Sequence, residues 1–231
     1  MLQNISSLYG HKLAATDGDI GHVKDFYFAD QTWVIRYVVA DTGSWLTGRQ
    51  VLLSPHAFGP LDNAKKTLPV QLRKKQIEDS PSIESHQPVS RQYEVDYYRY
   101  YGWPAYWDGG GMWGLGGFPV LIPPSQDAMA AHLQHHHRDD KHLQSTHAVN
   151  GYHIQTVDGP VGHVTGFLID DQSWAVRELV VEAGHWYAGK EILIAPVDVE
   201  RISYEDSTVF VNLSKATLQR TAENRVAHAS A

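Results

Sequence analysis

The residues with the clearest chemical potential form the stretch Asp17-Gly18-Asp19-Ile20-Gly21-His22-Val23, which returns 141 positions later as Asp158-Gly159-Pro160-Val161-Gly162-His163-Val164. A carboxylate and an imidazole on one tight turn could work as a proton-active pair or bind a ligand in each copy. The repeat favours a structural reading, with each histidine half-buried and satisfied by the turn carboxylate Asp17 or Asp158. His132, His135, His136 and His137 crowd a second stretch, together with Asp139 and Asp140. On a helix, His132 with His136 and His135 with Asp139 would be four residues apart and able to share a divalent metal. The alternative is a solvated low-complexity linker that binds nickel or zinc fortuitously. Gly109-Gly110-Gly111-Met112-Trp113-Gly114 spells G-x-G-x-x-G, but no strand precedes it and no periodic helix follows, so it is not a dinucleotide loop. Arg36 and Arg177 also repeat, in mid-strand settings that suit either a partner contact or a cross-strand ion pair. No Ser/His/Asp set, close carboxylate pair or phosphate loop occurs twice, so no catalytic residue and no cofactor is assigned.

The elements that carry these residues are duplicated too. Residues 10–77 align with 151–218 without a gap. The coinciding pairs include Phe26 with Phe167, Asp30-Gln31 with Asp171-Gln172, Trp33 with Trp174 and Pro55 with Pro196. Roughly a third of the aligned positions are identical. In the first copy, β-forming runs cover residues 11–15, 23–28, 33–40, 49–54 and 67–72, with a short strand near 58–61 and a closing helix over 73–78. Asp17-Gly18 predicts a tight turn, and Gly21 a bulge or a close backbone approach. The second copy repeats the plan over 153–157, 162–170, 174–182, 190–195 and 208–213, with a helix from 215 to about 224. Five or six short strands in so small a unit predict an antiparallel sheet closed into a barrel, which removes exposed edges. The expected organisation is a first barrel over 1–78, a connector over 79–148, a second barrel over 149–224 and a frayed tail over 225–231.

Composition limits the function. A net charge of −7 argues against a general nucleic-acid binder. The first copy is slightly basic and the second clearly acidic, a bias that favours their docking on each other or head-to-tail association. The absence of cysteine excludes thiolate sites and a Cys nucleophile and fits a reducing cytoplasm. The first residues form no signal peptide, and the apolar run near 112–122 is too short and Gly-rich to span a bilayer. Any membrane association would be peripheral.

The connector is rich in aromatic residues. A helix over 90–101 puts Tyr93, Tyr97, Tyr100 and Tyr101 at helical spacing, and Trp103, Tyr106, Trp107, Trp113 and Phe118 follow. So many large rings predict burial on a barrel or on another subunit, which makes Tyr97, Tyr101, Trp103, Tyr106, Trp107 and Trp113 interface candidates. The loop residues Trp45 and Trp186, each followed by Gly and a cation, could anchor an interface or cap a barrel end.

Together, Asp-Gly-x-Ile/Val-Gly-His-Val, an acidic turn with Trp, a Val-rich strand, Trp-x-x-Gly-Lys/Arg and a strand stopped at Pro resemble the PRC-barrel family. The connector Tyr97-Tyr98-Arg99-Tyr100-Tyr101-Gly102-Trp103-Pro104 is similar to that of bacterial tandem PRC-barrel proteins. The resemblance implies a small β-barrel used as a docking module. In the photosynthetic reaction centre H subunit, such a barrel caps the centre and influences electron and proton transfer. In the family's ribosome maturation factor, it binds a ribosomal protein. Neither role carries over residue by residue. The expectation is a non-enzymatic, cytoplasmic, protein-binding assembly module that self-associates through the connector. The alternatives are a peripheral reaction-centre-like component and a metal-binding protein using the central histidines.

Overall fold

The computed structural model describes residues 1–46, 48–81, 91–103, 143–187 and 189–229. The chain is mainly β. Its first half holds β1 (Leu2–Asn4), β2 (Lys12–Ala15), β3 (Gly18–Ala29), β4 (Val34–Asp41), β5 (Gln50–Leu53) and β6 (Thr67–Pro69), then helices Lys74–Glu78 and Arg91–Tyr101. The second half holds β7 (Leu143–Ser145), a one-turn helix Thr146–Val149, β8 (His153–Thr156), β9 (Gly159–Asp170) and β10 (Val176–Ala183). β11 (Glu191–Ile194), β12 (Val199–Ser203), β13 (Thr208–Val211) and helix Lys215–Ala229 complete it.

The strands form two mixed sheets. One runs β5-β4-β3-β2-β6 with β7 added on β3; the other runs β11-β10-β9-β8-β13-β12 with β1 added on β9. The expectation of closed antiparallel barrels needs two corrections. β2–β6 and β8–β13 pair in parallel, and neither hydrogen-bonded path closes on itself. The prolines explain the opening. Pro55 and Pro196 each begin a 3-10 turn directly after β5 and β11, where a residue without N–H cannot continue the ladder. In the second copy, the chain itself joins the two ends of the path, β11 and β12, across that turn. In the first copy, isolated bridges Phe58↔Val70 and Asp62↔Thr67 stand where β12 pairs with β13 in the second.

β3 and β9 organise the molecule because each is long enough to serve three partners. β3 pairs with β2 near its start, with β4 along its length and with β7 near its end; β9 does the same with β8, β10 and β1. Register shifts opposite Leu13/Ala14 and at Val23/Asp25 each insert a residue. They explain why the inward residues Ile20, Val23 and Phe26 are three apart rather than two.

The added strands cross between copies. β1 belongs to the first half but sits on β9, with Leu2 opposite Asp170. β7, its equivalent 141 positions on, sits on β3, with Leu143 opposite Ala29. The duplication therefore begins eight residues before Gly10, at Leu2 and Leu143. At the centre of the junction the backbone hydrogen bonds mirror each other. Ile35 N–H donates to Trp174 O at 2.8 Å, and Val176 N–H donates to Trp33 O at 2.7 Å. Between them the bridge Val34↔Ala175 lies on a pseudo-twofold axis. One hydrophobic core spans both halves, with Phe28 and Phe167 rings 5.4 Å apart and Phe26 stacked on Trp174. Burying both copies against each other gives each small unit the apolar contact area it lacks alone.

The copies differ on their outer faces. Helix Arg91–Tyr101 covers β4, so that strand is buried on both sides, and Tyr37, Val39, Leu52, Tyr97 and Tyr98 form a second apolar cluster there. β10 alternates more, exposing Arg177 and Glu182.

Gly21 tests this packing. A Cβ built at that position would lie 1.9 Å from the Asp41 carbonyl oxygen, and φ is +131°. Gly21→Ala should destabilise the fold by more than about 2 kcal/mol. Gly184→Ala, with only Val161 O at 3.8 Å and no positive φ, should change stability by less than about 1 kcal/mol. Urea melts of the two variants check the contrast.

Candidate functional site

The repeated hairpin resolves into structural roles. Asp17 Oδ1 accepts the Lys74 N–H at 2.8 Å, and Asp158 Oδ1 accepts the Lys215 N–H at 3.0 Å. Each aspartate thus satisfies an orphan N–H at the start of its copy's closing helix. The N–H of Lys215 and the hydroxyl of Thr156 hold the Asp158 carboxyl below its usual range. His22 is not half-buried against Asp17: it is exposed and sits opposite Asp41 across the β3–β4 ladder. His163 occupies the same place opposite Glu182, with 3.8 Å between Nε2 and Oε2. Gly18 and Gly159 leave room for Lys74 and Lys215, whose side chains lie 3.6 and 3.1 Å from where a Cβ would stand. Gly162 repeats the close approach of Gly21, with the Glu182 carbonyl in place of Asp41. The hairpin positions backbone; its aspartate and histidine do not converge on one point.

The arginines diverge. Arg177 pairs with Asp170 at 3.3 Å across the β9–β10 hairpin, whereas Arg36 is buried and its Nη2 donates to Thr32 Oγ1 at 2.9 Å. Ser173, the Gln172 N–H and Arg177 hold the Asp170 carboxyl down to about 2. Trp45 packs partly on the core under Lys74, whose Nζ is 4.6 Å from the ring.

The connector helix faces its own chain. Tyr97 has no exposed surface, because its OH donates to Leu52 O and accepts the Ser54 N–H, both at 3.0 Å. Tyr97 therefore cannot meet a partner, which corrects its place among the interface candidates. Tyr98 is buried as well, and burial pushes its phenol up to about 12. Tyr37 OH donates to the buried Glu94 at 2.9 Å. Tyr101 stacks on Trp103 at 4.6 Å, and both pack half-buried at the margin of the core. Tyr106, Trp107, Trp113 and the histidines His132, His135, His136 and His137 lie outside the described residues, as does the Trp186 side chain. Among the described residues no group of three metal-ligating side chains converges. No described helix is long and apolar enough to cross a membrane.

What converges instead is a pair of clefts at the copy junction. The first, about 240 Å³, is lined by Pro55, His56, Phe58, Gly59 and Pro60 of one copy and Asp171, Gln172 and Trp174 of the other. The second, about 480 Å³, is lined by Asp30, Gln31 and Trp33 of the first copy and Pro196, Val197, Val199, Glu200, Arg201 and Ile202 of the second. The aligned residues show that these are one site built twice: the acidic Asp-Gln-x-Trp turn of one copy faces the proline turn of the other. Each sets a tryptophan wall beside exposed polar groups. Both tryptophans hold positive φ, +53° at Trp33 and +56° at Trp174. Such strain in a bulky residue persists only where the surroundings over-determine it.

The two clefts have diverged. In the first, His56 is half-buried and stacks on Trp103 at 5.7 Å; in the second its equivalent is Val197, which is 87% exposed. Burial, with the nearby Arg36 charge, lowers the His56 pKa. The first cleft thus carries an imidazole held toward its neutral form, and the second an apolar knob beside Glu200 and Arg201. Although the aligned sequence contained every one of these residues, nothing in it brought the acidic turn of one copy to the proline turn of the other. No family model matches the chain, and no curated protein matches it.

His56 and the buried His11, whose pKa burial also lowers, give a pH dependence. Both bind protons more readily unfolded than folded. Their contribution is complete well above pH about 6.5 and is lost as pH falls below it. The melting temperature should drop between pH 7 and pH 5, and His56→Gln should make that drop shallower. An unchanged slope in the variant would show that His56 titrates alike in both states.

Proposed function

We propose that the protein is a non-enzymatic docking module of the PRC-barrel kind, which recognises a protein partner at the two junction clefts. The observation that carries this is the duplicated cleft: two equivalent, aromatic-walled recesses assembled from opposite copies. The repeated strand plan, with a proline turn at the open end of each sheet, supports kinship with the family. The inward-facing Tyr97 and Tyr98 move the expected recognition surface from the connector helix to the clefts. A hot spot of this kind typically centres on aromatic anchors with a polar rim, as at Phe58 and Trp174 beside Gln172.

Two rim residues allow a test that spares the fold. Gln172 and Val197 are both exposed at the mouths of the first and second clefts. Gln172→Arg and Val197→Asp should leave the melting temperature unchanged and weaken capture of the native partner about tenfold, or about 1.4 kcal/mol, at whichever cleft it uses. Quantitative affinity capture from the native host with wild type and both variants reads the effect. An identical set of captured proteins at identical yield with both variants defeats the proposal.

A further inference from the structure

The junction between the copies has the form of an isologous dimer interface. Residue pairs obey one rule: where position i of the first copy meets j of the second, the equivalent of i in the second meets the equivalent of j in the first. Leu2↔Asp170 mirrors Leu143↔Ala29, and Asn4↔Leu168 mirrors Ser145↔Tyr27. Each copy lends its first strand to the long strand of the other. The contacts require one copy of each kind, but nothing in them requires that both come from one polypeptide. Only the stretch from 104 to 142 sets that. Its 39 residues can extend on the order of 130 Å, far beyond a small domain's diameter.

We infer that two chains can exchange halves at this junction, the first copy of each pairing with the second copy of the other, to give a closed dimer with four copies and both kinds of cleft. The occupant of the surface is a second copy of this chain, by exchange rather than by addition. The pairing is heterotypic because the copies are not interchangeable. Asp25 accepts hydrogen bonds from Ser145 Oγ at 2.5 Å, Thr146 Oγ1 at 3.1 Å and the His147 N–H at 3.0 Å, and so caps the second copy's first turn. The equivalent of Asp25 is Gly166, where a Cβ would lie 3.3 Å from Asn4 Oδ1 and 3.4 Å from Ser6 Oγ. Pairing two second copies would set a glycine opposite Ser145 and lose the cap. Pairing two first copies would crowd Asp25 against Asn4. The slightly basic first copy and the acidic second copy favour the same choice. Heterotypic pairing closes within one chain, as here, or between two chains by exchange. This inference is independent of the docking function proposed above.

The chain contains no cysteine, which allows a direct test. Val34 and Ala175 face each other on the axis, flanked by the two crossing hydrogen bonds. They form a non-hydrogen-bonded antiparallel pair, whose Cα separation suits a disulfide. The full-length Val34→Cys/Ala175→Cys variant is unfolded in denaturant, refolded over a hundredfold range of protein concentration, then oxidised and run on a non-reducing gel. The expected result is a disulfide-linked dimer whose share rises with refolding concentration, absent from the Val34→Cys single variant. Disulfides closed only within single chains at every concentration would overturn the exchange, as would a dimer band of equal strength from the single variant. Should the double variant fail to fold, tagged and untagged wild-type chains are refolded together and the tag is captured. Untagged chain should co-purify in proportion to refolding concentration, and its absence would overturn the inference equally.

Discussion

Two hydrogen bonds and one β-bridge hold the centre of this molecule. Ile35 to Trp174 and Val176 to Trp33 cross between the copies on either side of the Val34↔Ala175 bridge. Both tryptophans adopt a left-handed backbone to present their carbonyls there, a conformation that costs a bulky residue roughly 1–3 kcal/mol. The cost is offset because each ring also enters the shared core or its margin, as in the Phe28–Trp33 and Phe26–Trp174 stacks. With the axis fixed, the exchanged strands β1 and β7, the single core and the two clefts all take their places around it.

That dependence explains why neither half is a self-contained unit. A copy of this size buries a modest fraction of its surface, and a sheet left open at its proline turn leaves apolar side chains to cover. The partner copy covers them and adds a strand to the long edge of β3 or β9. Symmetry is then broken where the sequence diverges. Tyr37 in β4 accepts the connector helix, whereas Glu178 at the same place in β10 does not suit an apolar cover. Arg36 is buried, whereas Arg177 is exposed and pairs with Asp170, whose equivalent in the first copy is Ala29.

The same logic separates structural from recognition chemistry. The Asp-Gly-x-x-Gly-His motif is identical in both copies because it does the same backbone work in both: a cap for the closing helix and a close approach of strands. The clefts retain their tryptophan, aspartate, glutamine and proline, yet differ in the residues that would meet a ligand. His56 against Val197 and Phe58 against Val199 make two related but unequal surfaces. The divergence thus reaches the wall of the cleft at Phe58 as well as its mouth, within a frame whose tryptophan and proline are preserved.

Much of the fold was legible in the sequence. The strand positions follow from β-branched runs and turn residues, the helix over residues 91–101 from its tyrosine spacing, and the duplication from a constant shift of 141 positions. Other features were not, among them the strands β1 and β12. The parallel pairs β2–β6 and β8–β13 depend on how the chain passes each proline turn. β7 was hidden within a connector, because a three-residue strand carries almost no periodic signal. The inward orientation of Tyr97 rests on a sheet edge supplied by Leu52 and Ser54, 45 and 43 positions away. By itself the sequence determined the repeated unit, its turns and the residues that diverged, since these depend on local propensity and spacing. Only the tertiary structure decided which copy each first strand joins and which turns face each other across a cleft, because those choices depend on burying two incomplete cores against each other at once.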